Sequence, residues 1–448
     1  MFDSSVLYCM NDRLIVHGGK KLKGDYKIQG SKNEAFEVMC ACLLTKETVV
    51  IKNIPNIVDV TNLINVFKLL NVKIEKINDH DYSFCAKDMF NVDQVDFNVL
   101  KSFITQLRGG VMILGPMVAR FKKAIIPMPG GDKIGRRRLD THFYGLSKLN
   151  VVSYFDEKLQ SYVCTTDQLK GNYILLDESS VTGTANIILA AVLAQGTTTI
   201  YNAACEPHVQ QLCNMLNKMG AKISGVGSNK LIITGVESLG GVEHVIGADL
   251  LDIGSIIGLA ALTRSNINIK FNNCDETWLY PAISRFQKIG IKMNVKADGI
   301  FVYGEEEYEV QSDLQKGAIV KIDDAVWPGF PSDLLCILLV TSLQAKGSVL
   351  FYEKLYESRL FFVDNLIAMG AKIILCDPHR AHVIGINHEY PLRGIKIASP
   401  DIRTGMSLLL AALSAEGESV ISQLSIIKRG YENIVERLKS LGADIKEE

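Results

Sequence analysis

The chain has 448 residues, a formal net charge of −1 and 48% hydrophobic residues. This composition excludes an intrinsically disordered chain, and the balanced charge argues against a broad nucleic-acid-binding surface. The length is sufficient for two or more domains. Because no apolar run is long enough to span a membrane and the first residues lack the order of a signal peptide, we expect a cytoplasmic protein without a membrane or nucleic-acid partner.

Ten cysteines are scattered along the chain without a Cys-x-x-Cys pair. Cys40 and Cys42 lie close together, but no Cys or His follows at the spacing of a zinc site. We interpret the cysteines as buried thiols of a reducing compartment and expect no metal ion.

One unit recurs six times in chain order: a helix of small apolar residues, a turn, a β-rich run, a second helix and an aliphatic strand. The second helices end at equivalent positions 70 to 80 residues apart, namely Asn71, Asn150, Gly220, Gly290, Gly370 and Gly442. Asn or Gly is the residue type that a helix C-terminus needs in order to turn left-handed before a strand. The repetition therefore predicts six structural units.

The first half of each unit repeats as well. Small-residue helices are predicted at 41–44, 112–119, 190–196, 259–262, 338–340 and 410–417, and strands follow at 48–51, 124–128, 198–200, 267–269, 348–351 and 419–421. Helices that are apolar nearly all round are buried, whereas these strands are only partly apolar. We expect two globular halves of three units each, with helices inside and sheets outside.

A glycine-rich loop at residues 129–138 lies between the second of these strands and an amphipathic helix predicted at 139–149. Within it, Asp132 is surrounded by the cations Lys133, Arg136, Arg137 and Arg138. Such a cluster suits the recognition of phosphate or carboxylate, and a carboxyl group beside it is a candidate proton carrier. Taken alone, these ten residues favour a solvated surface turn, and the rest of the chain must decide.

Eight motifs in order make the chain similar to a known family. They are Gln29-Gly30-Ser31-Lys32-Asn33, Leu114 to Arg120, Pro129 to Asp132 with Ile134-Gly135 and Asp140-Thr141-His142, Asn202 to Pro207, Pro328 to Asp333, Glu357-Ser358-Arg359, Asp401-Ile402-Arg403, and Arg429 to Glu432. From about Leu14 to the C-terminus, the chain resembles the enolpyruvyl transferases, and within them the branch that acts on nucleotide sugars.

The resemblance implies an α/β fold of two inside-out domains, each of three βαβαββ units. One domain is expected to be discontinuous, formed by residues 1–31 plus 248–448, and the other to span residues 32–247 and carry the Asp132 loop. The implied reaction transfers the enolpyruvyl group of phosphoenolpyruvate to the 3′-hydroxyl of UDP-N-acetylglucosamine with release of phosphate, a step of peptidoglycan synthesis. It requires no metal and no organic cofactor, and the oligomeric state is not predicted.

The resemblance assigns four catalytic residues. Asp132 aligns with the proton donor, where many members carry Cys, so we expect resistance to the thiol-directed epoxide fosfomycin. Asp333 aligns with the residue beside the sugar hydroxyl and is the expected general base, although it could also be a helix N-cap. Lys32 and Arg429 align with cations that hold the substrates. Asp132 must be protonated to act; exclusion of water favours that form, and the neighbouring arginines oppose it.

The remaining aligned positions are expected to bind substrate, with Arg359 and Asp401 in supporting roles. They are Asn33, Arg108, Arg137, Arg138, Leu139, Asp140, Thr141, Glu178, Ser179, Ser180, Val181, Leu355, Arg359, Asp401 and Arg403. Asp249 and Glu206 fit either the cleft or helix caps, and His142 fits either a uracil contact or a structural role. Arg120 is interpreted as a residue that ends a helix.

Several positions depart from the family pattern, so the reaction type is predicted more firmly than the acceptor. They are Val58, Arg138, Leu250-Leu251, Trp327 and Lys428. Two alternatives remain open: a paralogue that acts on another nucleotide or sugar, and a catalytically silent binding protein on the same scaffold. The branch that uses shikimate 3-phosphate fits the Asp132 loop less well.

Overall fold

The computed structural model describes residues 12–132, 134–311 and 317–448. Within them, the strands are β1 (Arg13–His17), β2 (Lys23–Lys27), β3 (Thr48–Lys52), β4 (Lys73–Lys76), β5 (Tyr82–Cys85), β6 (Lys123–Pro127), β7 (Val152–Asp156), β8 (Ser161–Thr165), β9 (Tyr173–Leu175), β10 (Thr197–Tyr201), β11 (Lys222–Ser224), β12 (Lys230–Thr234), β13 (Glu243–Val245), β14 (Asn266–Lys270), β15 (Met293–Lys296), β16 (Gly299–Val302), β17 (Val320–Asp323), β18 (Ser348–Tyr352), β19 (Lys372–Asp377), β20 (Arg380–Ile384), β21 (Lys396–Ala398), β22 (Glu418–Ser422) and β23 (Asp444–Glu447).

The α-helices of the same residues are α1 (Lys32–Ala41), α2 (Val58–Leu69), α3 (Phe97–Ile104), α4 (Leu114–Phe121), α5 (Asp140–Lys148), α6 (Val181–Ala191), α7 (Pro207–Lys218), α8 (Leu250–Leu262), α9 (Glu276–Lys288), α10 (Ser332–Ser342), α11 (Val363–Ala368), α12 (Ile402–Ser414), α13 (Leu424–Lys428) and α14 (Ile434–Ser440). Short 3₁₀ helices cover Cys42–Leu44, Val92–Gln94, Arg108–Ile113 and Arg359–Phe362. The predicted helix at 112–119 is therefore a 3₁₀ turn followed by α4.

The strands form six sheets, one for each repeated unit. Their strand orders are β13-β3-β5-β4, β6-β8-β7, β11-β12-β10-β9, β15-β16-β14-β2, β17-β18-β20-β19 and β21-β22-β1-β23. Five of the sheets combine a parallel pair with antiparallel neighbours; in one of them, β14 runs parallel to β2 and antiparallel to β16. The predicted α/β class with six repeated units is confirmed.

The first helix of each unit lies inside and the sheets lie outside, as predicted. In α12, every residue from Ile402 to Leu413 is buried, and in α8 every residue from Leu251 to Leu262 is buried. The strand β12, in contrast, alternates exposed and buried residues along its length. Helices that are apolar on all sides need surroundings of this kind, whereas a sheet with alternating residues covers the core with one face and meets water with the other.

The six predicted helix ends all turn with positive φ. The angles are 60° at Asn71, 70° at Asn150, 103° at Gly220, 97° at Gly290, 103° at Gly370 and 96° at Gly442. This backbone region is costly for most L-residues and is common only for Gly and Asn, which explains why only these two types occupy the equivalent positions.

The buried apolar side chains form two clusters. One combines residues 14–28 with residues 251–445, and the other lies within residues 35–246. Between them the chain segments meet at a short crossing, where the main-chain N–H of Ser31 donates to the carbonyl of Gly247 at 2.8 Å and Gly30 pairs with Ala248. We propose that the two domains are residues 32–247 and residues 1–31 plus 248–448.

The nine described cysteines are all free, and Cys9 lies outside the described residues. Cys85, Cys205 and Cys274 are only partly buried, and Cys376 is exposed on the outer face of β19, so the prediction of buried thiols is wrong at Cys376 and only partly met at the other three. Among the described residues, no helix has both the length and the apolar character needed to cross a bilayer.

Candidate active site

The first turns of four helices supply charged side chains to one region. Lys32 opens α1, and Asp59, Asp333 and Arg403 are the second residues of α2, α10 and α12. A helix N-terminus presents free N–H groups and a partial positive charge, which favours anions. The repeated architecture therefore concentrates anion-binding elements where the sequence predicts two anionic substrates.

A continuous chain of ion pairs joins Lys32 to Asp132. Nζ of Lys32 donates to Oδ2 of Asp59 at 2.5 Å. Nε of Arg429 donates to Oδ1 of Asp59 at 2.9 Å, and its Nη1 donates to Oδ1 of Asp132 at 3.1 Å. Three of the four predicted catalytic residues thus meet here, linked by a carboxylate that was not predicted.

The charged groups in this series of ion pairs shift one another's pKa values. Burial would raise the pKa of Asp59, but the charges and hydrogen bonds of Lys32 and Arg429 outweigh it and the pKa is lowered. Burial lowers the pKa of Lys32, and Asp59 counteracts that effect. Asp59 is therefore a buried carboxylate whose ionised form is stabilised by two cations.

The fourth predicted catalytic residue, Asp333, lies between two arginines. Nη2 of Arg359 donates to its Oδ1 at 2.8 Å, and Nε of Arg403 lies 3.7 Å from its Oδ2. Burial would raise the pKa of Asp333, but Arg359 and Arg403 outweigh it and the pKa is lowered. Its side chain is 34% exposed, so an ionised carboxylate remains accessible to solvent.

The guanidinium groups beside Asp333 retain donors for a further anion. Within the described residues, Nη1 of Arg359 and Nη1 of Arg403 are both buried and have no hydrogen-bond partner. Buried donors are normally satisfied, so these unpaired ones are candidates for binding a ligand. Arg359, for which a supporting role is predicted, contacts Asp333, and that role stays a prediction.

Beneath this group, Glu353 is a fully buried carboxyl group. It accepts hydrogen bonds from the hydroxyl of Ser332 at 2.9 and 3.0 Å, and it lies 3.7 Å from Nε of Arg359. Burial and the neighbouring carboxyl group of Asp324 raise the pKa of Glu353 to about 8. Ser332 is thereby engaged, and neither it nor Asp333 caps α10, whose N-cap is Pro331.

The glycine-rich loop covers a cleft of about 480 Å³. Its backbone is bonded to the other end of the chain: the N–H of Arg136 donates to Oε1 of Glu357 at 3.0 Å, and the N–H of Ser358 donates to the carbonyl of Ile134 at 3.2 Å. Gly135 has a φ of 143°, and a Cβ there would lie 2.5 Å from Oε2 of Glu357. The cleft is lined by Arg108, Pro129, Gly130, Gly131, Asp132, Gly135, Arg136, Arg137, Glu357 and Ser358.

The arginines predicted at this loop differ in how they are held. Nη2 of Arg108 donates to the carbonyls of Arg137 and Arg138, and these two bonds hold the loop backbone in place. Burial and the charge of Arg137 lower the pKa of Arg108 to about 10. The side chain of Arg138 is exposed and pairs with Asp140, whereas Arg137 lines the cleft.

Two stretches predicted to bind the nucleotide meet in space. The hydroxyl of Thr141 donates to Oε1 of Glu178 at 2.8 Å, which joins the start of α5 to the segment before α6. Ser180 caps α6 by accepting from the N–H of Gly183. Among the other predicted residues, Leu139 is buried, Ser179 and Val181 are half-buried, and Asn33 and Leu355 are exposed.

The sequence is similar to those of known proteins. The sequence profile of EPSP synthase (3-phosphoshikimate 1-carboxyvinyltransferase) matches residues 16–438. Proteins named UDP-N-acetylglucosamine 1-carboxyvinyltransferase from Bacteroides thetaiotaomicron and Porphyromonas gingivalis are 53% and 49% identical over 96% of this chain and 98% of each relative. The protein of that name from Treponema pallidum is 42% identical over 97% of this chain and 99% of the relative.

The chain belongs to the EPSP synthase family of enolpyruvyl transferases. The fold agrees with solved members of this family. The enolpyruvyl transferase NikO from Streptomyces tendae superposes with a TM-score of 0.86 at 22% identity, covering 97% of this chain and 99% of that one. EPSP synthase from Acinetobacter baumannii superposes with a TM-score of 0.71 at 16% identity, with the same coverage.

Some residues that the family resemblance brought forward have structural roles here. Asp401, expected to have a supporting role, accepts from the main-chain N–H groups of Arg403 and Thr404 at 2.9 Å and caps α12. Against the effect of burial, its charge also helps to raise the pKa of Arg359, which favours the charged form of that side chain. Asp249 likewise caps α8. Both ring nitrogens of His142 lie within hydrogen-bond distance of protein groups, Thr182 and Asn186, which favours its structural alternative over the uracil contact.

Glu206 and Arg120 complete this group. Glu206 precedes α7 without capping it through its side chain. Nη1 of Arg120 donates to the carbonyls of Leu43 and Ala86, which agrees with its interpretation as a helix-end residue. The predicted substrate contacts of the family positions stay predictions.

Three acidic residues of the site were missed by the sequence interpretation: Asp59, Glu353 and Glu357. An acidic residue in the first turn of a helix is common because it complements the helix dipole, so Asp59 carried no distinctive signal. Glu353 follows a strand and precedes Lys354, a pattern typical of a surface turn. Only Glu357, inside a recognised motif, could have been singled out.

Proposed function

We propose that this protein transfers the enolpyruvyl group of phosphoenolpyruvate to the 3′-hydroxyl of UDP-N-acetylglucosamine and releases phosphate, the first committed step of peptidoglycan synthesis. The observation that carries this proposal is the identity of up to 53%, over nearly the whole chain, to relatives named for that activity. In this proposal the two substrates are the only partners required, no cofactor takes part, and the enzyme works in the cytoplasm.

The reaction is an addition followed by an elimination. In the addition, C3 of phosphoenolpyruvate gains a proton, the sugar oxygen bonds to C2, and the hydroxyl proton passes to a base. The resulting tetrahedral ketal then loses a proton from C3 and phosphate from C2, which restores the double bond. The protein must supply an acid near C3, a base near the hydroxyl and cations for the phosphate and carboxylate.

We assign these roles to groups that already converge. Asp132 delivers the proton to C3, and the accessible, ionised Asp333 accepts the hydroxyl proton. Lys32 and Arg429 hold the phosphoenolpyruvate next to Asp132, and the unpaired donors of Arg359 and Arg403 bind the other anionic groups. Residues 137–141 and 178–181 form the nucleotide side.

The test is phosphate release from phosphoenolpyruvate in the presence of UDP-N-acetylglucosamine, UDP, UMP or shikimate 3-phosphate. We expect release only with the amino-sugar nucleotide and a loss of about 10²- to 10⁴-fold in Asp333→Ala, the usual contribution of a positioned acid or base. Asp93→Ala is the matched control, because Asp93 pairs with Lys123 on the surface away from the cleft.

The other outcomes separate the alternatives. Release with a different acceptor would contradict the proposed substrate and keep the reaction type. A folded protein that is silent with every acceptor would contradict the proposed function and favour a binding protein on the same scaffold.

A further inference from the structure

Asp59 occupies a central position that no sequence motif marked. Its side chain is 5% exposed, and its carboxylate is bonded to Lys32 at 2.5 Å and to Arg429 at 2.9 and 3.3 Å. A buried carboxylate with this number of charge-assisted bonds is fixed in place, since removing either cation would leave a desolvated charge.

The three groups come from both sides of the proposed domain division. Lys32 and Asp59 belong to residues 32–247, whereas Arg429 belongs to the C-terminal segment. A second bond closes the unit, because Nζ of Lys32 also donates to the carbonyl of Arg429 at 3.2 Å. Two of the three ammonium protons are thereby used, and one remains for a ligand.

The same carboxylate determines where the fork of Arg429 points. Asp59 takes Nε and Nη2, and Nη1 is directed to Asp132. Without Asp59, the two cations would repel each other in a partly dehydrated site, and Arg429 would lose the partner that sets its plane.

Resting on the function proposed above, we propose that Asp59 is a positioning residue: it binds Lys32 and Arg429 into one preassembled cation pair for phosphoenolpyruvate and aims Arg429 at Asp132. Asp59 itself makes no bond to substrate in this role. It gives the charges contributed by the two proposed domains a defined arrangement.

The main test is Asp59→Asn, which keeps the shape and removes the charge. We expect KM for phosphoenolpyruvate to rise about 10- to 100-fold, the scale of a misplaced binding group, while KM for the nucleotide sugar stays within a factor of about three. Asp93→Asn, which removes an equivalent charge from a surface pair, should match the wild type.

A pH profile distinguishes positioning from mere structural support. The charged groups that face Lys32 are Asp59 on α2, Arg403 on α12 and Arg429 after α13. With Asp59 neutral, nothing opposes burial and the two arginines, which lower the pKa of Lys32. Lys32 therefore loses its proton at lower pH. The basic limb of kcat/KM for phosphoenolpyruvate should move down by about one unit or more.

Asp59→Glu keeps the charge but displaces it, so it should leave the basic limb in place and still raise KM for phosphoenolpyruvate. This variant also tests the proposal if Asp59→Asn does not fold. A wild-type KM and a wild-type profile in folded Asp59→Asn, or a wild-type KM in Asp59→Glu, would overturn it.

Calorimetric binding of phosphoenolpyruvate alone separates this inference from the proposed function. Weaker binding in Asp59→Asn than in wild type supports the positioning role even where the wild type does not turn over UDP-N-acetylglucosamine. Equal binding in an active wild type and in Asp59→Asn would contradict the inference and leave the proposed reaction standing.

Discussion

The two candidate catalytic carboxylates are held in opposite ways. Asp333 is part of the first turn of α10, a helix buried along almost its whole length, and two arginines flank it. Asp132 lies on a loop outside any helix or strand and is bonded by a single nitrogen of Arg429. Asp333 belongs to a core helix, whereas Asp132 is held at the site by contacts across the cleft.

The difference means that Asp333 is positioned by its own helix, whereas the position of Asp132 depends on contacts with distant segments. The charge and direction of Asp333 are determined by Arg359 and Arg403 within one half of the molecule, so a base in this position is ready before any substrate arrives. The position of Asp132 depends on Arg429, Glu357 and Ser358, which all lie far along the chain. An acid held in this way is correctly placed only while these contacts keep the loop over the cleft.

The largest effect is expected from replacing the loop carboxylate. Asp132→Ala removes the proposed proton donor, so kcat should fall about 10²- to 10⁴-fold. Asp132→Cys restores the acid that many family members carry and should recover part of the lost turnover. The measurement is steady-state phosphate release with and without fosfomycin, followed by intact-protein mass spectrometry.

The Cys variant also tests the expected drug response. Wild type should turn over normally in fosfomycin and show no adduct, whereas Asp132→Cys should be inactivated with one covalent adduct on the loop. An adduct on the wild-type loop, or full turnover in Asp132→Ala, would remove Asp132 from the mechanism and make the loop a passive cover.

A smaller effect is expected from loosening the loop without touching the acid. Glu357→Ala removes the carboxylate that accepts the N–H of Arg136 and therefore one of the bonds that keep the loop closed. We expect kcat to fall about tenfold, the effect of one lost charge-assisted hydrogen bond, with the melting temperature close to that of the wild type.

The control is Glu243→Ala, which breaks the exposed pair with Lys52 on the outer surface. Because Asp333 is independent of the loop, the affinity for the nucleotide sugar should change less than kcat does. If Glu357→Ala turned over at the wild-type rate, the contacts across the cleft would not hold Asp132, and the contrast between the two carboxylates would be weaker than we propose.

The contrast also explains what sequence could predict. Small-residue helices and the Asn or Gly at each helix end are local signals, so the six units and their helix ends were predictable. Lys32 and Arg429 lie 397 positions apart, yet both fall in recognised motifs, and the structure brings them together. Nothing local tells which cations Asp59 faces, because that depends on the packing of α2 against a segment from the other end of the chain.

The same reasoning applies beneath Asp333. Ser332 begins an apolar helix, where a serine often caps, but its hydroxyl donates to Glu353 instead. A buried carboxyl such as Glu353 cannot be distinguished from a surface one by sequence, since its burial results from the way β18 ends against α10. Whether a side chain such as Glu353 contacts a site residue is decided by tertiary packing, which sequence patterns do not encode residue by residue.

The smallest expected effect is a pH dependence of stability that comes from Glu353. Burial and Asp324 raise the pKa of Glu353 to about 8 in the folded protein, from an ordinary value of 4.5. Between these values the folded state binds a proton that the unfolded state releases. The stabilisation is complete below pH 4.5 and is lost as pH rises towards 8, with a slope of at most about 1.4 kcal/mol per pH unit.

Glu353→Gln cannot titrate, so its free energy of unfolding should fall less steeply than that of the wild type when urea unfolding is measured from pH 5 to 8. His208, whose pKa is raised to about 9 by Glu37 against the effect of burial, contributes in the same direction above pH 6.5 in both proteins and cancels in the difference. Glu447→Gln, at an exposed pair with Lys428, should keep the wild-type slope. Equal slopes in wild type and Glu353→Gln would mean that Glu353 is ionised throughout this range. Arg359 would then be shared by two ionised carboxylates, Glu353 and Asp333, and would hold Asp333 less firmly than we propose.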